Sequence, residues 1–229
     1  MSDLFYKMVY WTWRWPFDFS HRPTIIGLER TNYDGPYILA ANHTSPYDVA
    51  LLIYHGRRHL DFVSTTEVFN IPVVGRFYQA MNAFPLDRSK ADTATVRTIL
   101  QRLASGRAIA MFPEGGFRLQ DRSVLHGGSL RPGIGRIARI AQVPVIPCAI
   151  EDSLVYAKPS SWLPLRKSRY GMAFGEPILP LDQDATDEQT KAFETNLAER
   201  IRAVHRELLD AMDRPEHEAA TRRNQPRRK

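Results

Sequence analysis

Among its 229 residues the chain has a single cysteine, Cys148. That excludes a disulfide framework, and no Cys-x-x-Cys or His-Glu-x-x-His pattern supplies a metal site. Long apolar runs are missing as well, so no segment reads as a membrane-spanning helix. There is no Walker phosphate loop and no Gly-x-Ser-x-Gly nucleophile elbow. The stretch Gly133-Ile134-Gly135-Arg136-Ile137-Ala138 fits a dinucleotide pattern, but Leu130-Arg131-Pro132 precedes it where a strand is required. It reads instead as a helix start, with Ile134, Ile137, Ala138 and Ala141 packing inward. Neither a metal nor a bound cofactor is expected.

Excess positive charge is concentrated in one place. The formal net charge is +6, and residues 214–229 hold six basic residues against Glu216 and Glu218. The basicity is mostly a tail of disordered composition over 213–229, open to anionic lipid or without a role. No nucleic-acid recognition motif stands in the body, so no nucleic acid is expected as a partner.

What is present is order. At 43% hydrophobic residues the chain can bury one sizeable core. Patterning predicts strands over 36–41, 59–63, 82–86, 107–113 and 143–150, with a hairpin-like strand over 168–175. Helices are predicted over 46–55, 66–80, 91–105, 132–141 and 187–212. This alternation predicts an α/β sandwich with a largely parallel sheet flanked by helices, spanning residues 20–212 as one domain. Pro144 and Pro147 suggest that their strand lies at an edge, or begins there.

Residues 1–19 form a third region. Leu4, Phe5, Tyr6, Tyr10, Trp11, Trp13, Trp15, Phe17 and Phe19 crowd it, and only Lys7, Arg14 and Asp18 (besides Asp3 at the start) carry side-chain charge. Trp and Tyr favour the headgroup boundary, which predicts a helix lying in the membrane interface; cover for the protein's own sheet is the alternative. No signal peptide is read here. With one cysteine, this places the chain peripherally at the cytoplasmic face of a membrane.

Chemistry concentrates at Asn42-His43-Thr44-Ser45-Pro46-Tyr47-Asp48. An apolar run precedes it and a helix follows, so the chain turns between His43 and Asp48 and their side chains can meet. A carboxylate on one imidazole nitrogen fixes the tautomer and makes the other nitrogen a better base. Two alternatives stand beside this. Asp48 can be the acidic partner of a capping box begun by Ser45. Ser45 itself can be a nucleophile, although helix capping explains it more economically. A second pair at the same spacing, His205 and Asp210, lies within a helix, where five residues turn roughly 140° past a full turn. His205 is expected on that helix's surface.

Three more stretches share this pattern of strand ends with polar residues: Asn82-Ala83-Phe84-Pro85-Leu86-Asp87-Arg88, Phe112-Pro113-Glu114-Gly115-Gly116, and Val143-Pro144-Val145-Ile146-Pro147. In this order the four resemble the motifs of the 1-acylglycerol-3-phosphate acyltransferases, over about residues 20–180. The resemblance implies transfer of a fatty acyl group from a coenzyme A or carrier-protein thioester to a hydroxyl of a lysophosphatidate-like lipid acceptor. It implies His43 as the base and Asp48 as the acid that orients it. It puts Glu114 and Gly115 at the acceptor's glycerol and Arg88 on its phosphate. Asn42 and Ser45 join the substrate-binding set, with a backbone contact as the alternative for Asn42.

Departures from the family pattern fall in the second motif, where Asn82 stands in place of a frequent glycine, and in the third. Gly116 replaces a hydroxyl residue, and Phe117 takes the arginine place with Arg118 one position later. The paired glycines would let Arg118 swing back toward that space. Another acceptor (glycerol 3-phosphate, a lysophospholipid or a lyso-aminolipid) and a silent lipid-binding homologue remain open alternatives.

Overall fold

The computed structural model describes residues 21–65, 83–86, 93–158 and 168–213, with Met8, 69–70, 75–76 and 161. The aromatic N-terminal segment, the helices expected over 66–80, Arg88 and the basic tail lie outside the described residues. Seven strands form one sheet in the order β1-β7-β6-β2-β5-β3-β4. They are β1 (His21–Ile26), β2 (Ile38–Ala41), β3 (Leu60–Thr65), β4 (Ala83–Leu86), β5 (Ala108–Met111), β6 (Val145–Glu151) and β7 (Ser168–Phe174). All neighbours run parallel except β6 and β7, which pair antiparallel. The α/β architecture with a largely parallel sheet is the one the sequence predicts.

The short continuous apolar runs have a simple cause: a parallel sheet is covered on both faces. In β2 the alternation is plain. Ile38 and Ala40 pack with Ile99, Leu103, Ile137, Leu197 and Ile201, from α2 (Thr93–Ala104), α3 (Ile134–Ala141) and α4 (Asp187–Met212). Leu39 and Ala41 face the other way, onto Leu51 and Leu52 of α1 (Tyr47–His55). α4 begins with a reciprocal cap, in which Thr186 Oγ1 accepts from Gln189 N while the Gln189 side chain accepts from Thr186 N. α3 starts as expected at Gly133, and Glu194 Oε1 accepts from the amides of Gly133 and Gly135. That helix N-terminus is already occupied by a carboxylate of the chain itself.

Three expectations change. β1 is an edge strand that sequence patterning misses, because His21-Arg22-Pro23-Thr24 is short, polar and interrupted by proline. Pro147 sits in β6, between β2 and β7, and not at an edge. Pairing with β7 starts only at Cys148, and the Pro147 carbonyl accepts from Gly175 N just beyond that ladder. The missing N–H therefore costs no sheet hydrogen bond to β7. His205 is buried, not on the surface, with Nε2 2.6 Å from Glu151 Oε2. It stands four residues after Ile201, on the helix's buried stripe.

At the C-terminal end of α1, His55 Nε2 lies 2.5 Å from the Tyr170 hydroxyl. Burial, helped by the nearby His21, pushes the His55 pKa down to about 3. The unfolded chain takes up a proton near the ordinary value that the folded chain refuses. Unfolding free energy is therefore expected to fall as pH drops from 6.5 toward about 3. Chemical denaturation across that window checks this, and His55→Gln should flatten the slope.

Candidate active site

β6, β2 and β5 are adjacent and parallel, so their carboxyl ends meet at one edge of the sheet, the usual place for ligands in such folds. His43 follows β2 there. Its Nδ1 lies 2.9 Å from Asp48 Oδ2, and the same oxygen accepts from Thr44 N at 2.8 Å and Ser45 N at 2.9 Å. Asp48 is fully buried. Capping and orienting thus turn out to be one arrangement: the carboxylate that satisfies the turn's amides also receives the imidazole N–H. Nε2 is left without a bond to Asp48. Asp48 Oδ1 is buried with no hydrogen-bond partner among the described residues.

The loop after β5 frames the base. Phe112 stacks on the His43 ring at 3.9 Å between centroids with 13° between planes. Phe117 contacts the same ring at 4.4 Å. His43 N donates to Glu114 Oε2 at 2.6 Å, and Arg118 N donates to His43 O at 2.8 Å. The other Glu114 oxygen accepts from Ser123 Oγ at 3.0 Å and Val124 N at 2.6 Å. Burial raises the Glu114 pKa, against the pull of the donors from Val124, His43 and Ser123. Glu114 thereby ties the base's strand end to the following loop.

A glutamine in its place can accept on one side only and must turn its NH2 toward an N–H or O–H donor on the other. Glu114→Gln is expected to cost about 1–3 kcal/mol of stability and to lower kcat as His43 loosens. Urea unfolding and steady-state kinetics together check both effects.

Gly115 has a φ of +72°, and its amide donates to Phe112 O at 3.0 Å. An added Cβ would come within 2.4 Å of Arg131 Cδ. Its contribution is the shape of the turn. Arg118 is half-buried and lines a cleft of about 150 Å³ together with Thr44, Gln120, His126, Asp152 and Ser153. Arg88 lies outside the described residues.

Two of the sequence-predicted substrate contacts point elsewhere. Asn42 is fully buried, and its amide both donates to Ile150 O (2.9 Å) and accepts from Ile150 N (2.7 Å). It works as a peptide mimic that joins the end of β2 to β6, the backbone contact held open as its alternative. Ser45 is also buried; its Oγ accepts from Tyr47 N and lies 2.9 Å from Ser153 Oγ. Its hydroxyl serves as a turn cap. Ser153, which also lies 3.1 Å from Thr44 Oγ1, is a support the sequence gives no sign of, since its partners are more than 100 residues away. Phe112 and Phe117 were legible only as members of the motif, not as neighbours of the base. Cys148 is inert: burial, and secondarily the charge of Asp48, push its thiol well above the ordinary range.

The sequence model of the acyltransferases matches residues 22–151, a span that contains the dyad and the whole loop around it. The chain belongs to the acyltransferase family. This acyltransferase is 25% identical over 192 residues to the 1-acyl-sn-glycerol-3-phosphate acyltransferase of Bacillus subtilis, across 80% of this chain and 88% of that one. It is 27% identical over 150 residues to the enzyme of that name from Streptococcus pneumoniae, across 64% and 52% of the two chains. Its fold resembles the crystal structure of the 1-acyl-sn-glycerophosphate acyltransferase PlsC from Thermotoga maritima. The TM-score is 0.62 at 23% identity, over 90% of this chain and 77% of that one.

Proposed function

We propose that this acyltransferase moves a fatty acyl group from a coenzyme A or carrier-protein thioester to the free hydroxyl of a lysophosphatidate-like lipid. The observation that carries the proposal is the His43–Asp48 pair, with its tautomer set and its base nitrogen unengaged by Asp48. His43 Nε2 removes the acceptor's hydroxyl proton as the oxygen attacks the thioester carbonyl. The new C–O bond forms, the C–S bond breaks, and His43 returns the proton to the leaving thiolate. A thioester is already activated, so positioning, proton transfer and charge stabilisation suffice without a covalent intermediate.

In this reading Arg118 at the cleft, together with Arg88, holds the acceptor's phosphate through paired N–H donors. Glu114 and Gly115 hold the loop that receives the acceptor's glycerol. No described helix is long and apolar enough to cross a membrane. In the same reading the aromatic residues of segment 1–19 make the contact with the lipid surface, and the enzyme works peripherally at the cytoplasmic face. The shifted arginine in Gly116-Phe117-Arg118 favours a second reading, the same chemistry on a different lyso-lipid.

The test uses purified full-length protein, vesicles, a labelled acyl thioester of either kind and a panel of acceptors, read by mass spectrometry of the lipid extract. Acylation of lysophosphatidate supports the first reading, and acylation confined to another lyso-lipid supports the second. No acylated lipid with either donor would overturn both.

A further inference from the structure

His43 can activate water as readily as an alcohol, and a thioester is reactive to both. An enzyme using this base must therefore keep water from Nε2 while the thioester waits for its acceptor. Two rings surround the imidazole, and their situations differ. Phe112 closes the strand end and lies nearly parallel to the His43 ring. Phe117 also touches that ring, yet it is 55% exposed. A phenylalanine left half in water forgoes part of the stabilisation that full burial would give.

Its setting gives the exposure a purpose. Phe117 follows Gly115 and Gly116, whose φ values of +72° and +148° lie where only glycine is at ease. Leu119 and Leu154 line the same cleft as Arg118, and both are 46% exposed. Exposed apolar side chains thus form part of the rim of a polar cleft that begins at Thr44, next to a base whose side chain is only 14% accessible. The rim matches a fatty acyl chain, and the ring on the base matches a cover that the chain completes.

Resting on the acyl-transfer reading above, we infer that Phe117 is a positioning residue: it packs against the donor's acyl chain and screens His43 from water, so that the acyl group goes to the lipid hydroxyl and not to hydrolysis. In the suppressed reaction, water supplies the attacking oxygen, the C–S bond breaks, and the products are a free fatty acid and the thiol. Phe117 takes no part in proton transfer itself.

Product partition tests this. Wild type, Phe117→Ala and Phe117→Leu are given a labelled thioester and the best acceptor from the panel. Thiol release, diacyl lipid and free fatty acid are then counted in the same sample. Phe117→Ala should raise the ratio of fatty acid to diacyl lipid by about tenfold, with the thermal midpoint unchanged because the side chain is exposed. Phe117→Leu retains apolar bulk and should partition like wild type. An unchanged ratio in Phe117→Ala would overturn the inference, whether kcat or the acceptor's KM had moved or not. A rise equally large in Phe117→Leu would also overturn it, since apolar cover would then not be what matters. Absence of acyl transfer by wild type would overturn the transfer reading beneath it, an outcome distinct from both.

Discussion

Replacing His43 with alanine is expected to lower acyl transfer by about 100- to 10,000-fold, the range a positioned general base contributes. The fold should survive. The elements that fix the turn are backbone amides on Asp48, Asn42 on Ile150 and Glu114 on the His43 amide, and none needs the imidazole. Asp48 would lose one of three donors and keep two. Circular dichroism and the unfolding midpoint should match wild type while kcat collapses. A variant that kept most of its transfer rate would remove His43 as the base.

Asp48→Asn separates charge from geometry, and the unpartnered Oδ1 makes this possible. If the new amide oxygen takes the place of Oδ2, it still accepts from His43 Nδ1, Thr44 N and Ser45 N. Its NH2 then occupies the empty side. The turn stays in register, but the imidazolium formed during transfer loses its buried counter-charge. The expected result is a fall in kcat of about 100-fold or more, with about 1–3 kcal/mol of stability lost to the buried, unpaired NH2. Asp48→Ala removes the anchor for both amides and should destabilise further. Were Asp48→Asn to turn over like wild type, the carboxylate would be only a cap.

The sequence discloses local geometry well and long-range pairing poorly. α4 was legible to its ends because Phe193, Leu197, Ile201, Val204 and Leu208 mark one stripe. Its neighbour on that face, His205, reads as exposed when set only against Asp210; its partner is Glu151, at the end of β6. The turn from His43 to Asp48 was legible because both residues belong to one short segment. Whether Asp48 caps or orients could not be decided there, and the three donors on one oxygen show that it does both.

The clamp of Asn42 on Ile150 and the bond of Ser45 to Ser153 join residues 108 apart. Nothing local announces such pairs, so both residues looked available to substrate. Glu114 is legible as a carboxylate in the turn after a strand, yet the surroundings that bury it come from Ser123 and Val124, in a segment with no pattern of its own. β1 failed for another reason. An edge strand can be short, polar and proline-bearing, which is the composition of a loop.

The measurement that most directly tests direct transfer through His43 is the intact mass of the enzyme incubated with a labelled acyl thioester before any acceptor is added. Ser45, two residues from His43, is buried against Ser153 and the Tyr47 amide. The protein mass should therefore stay unmodified, with label passing to lipid only when acceptor arrives and only with His43 present. An acylated protein that forms without acceptor and then chases into lipid product would contradict the mechanism.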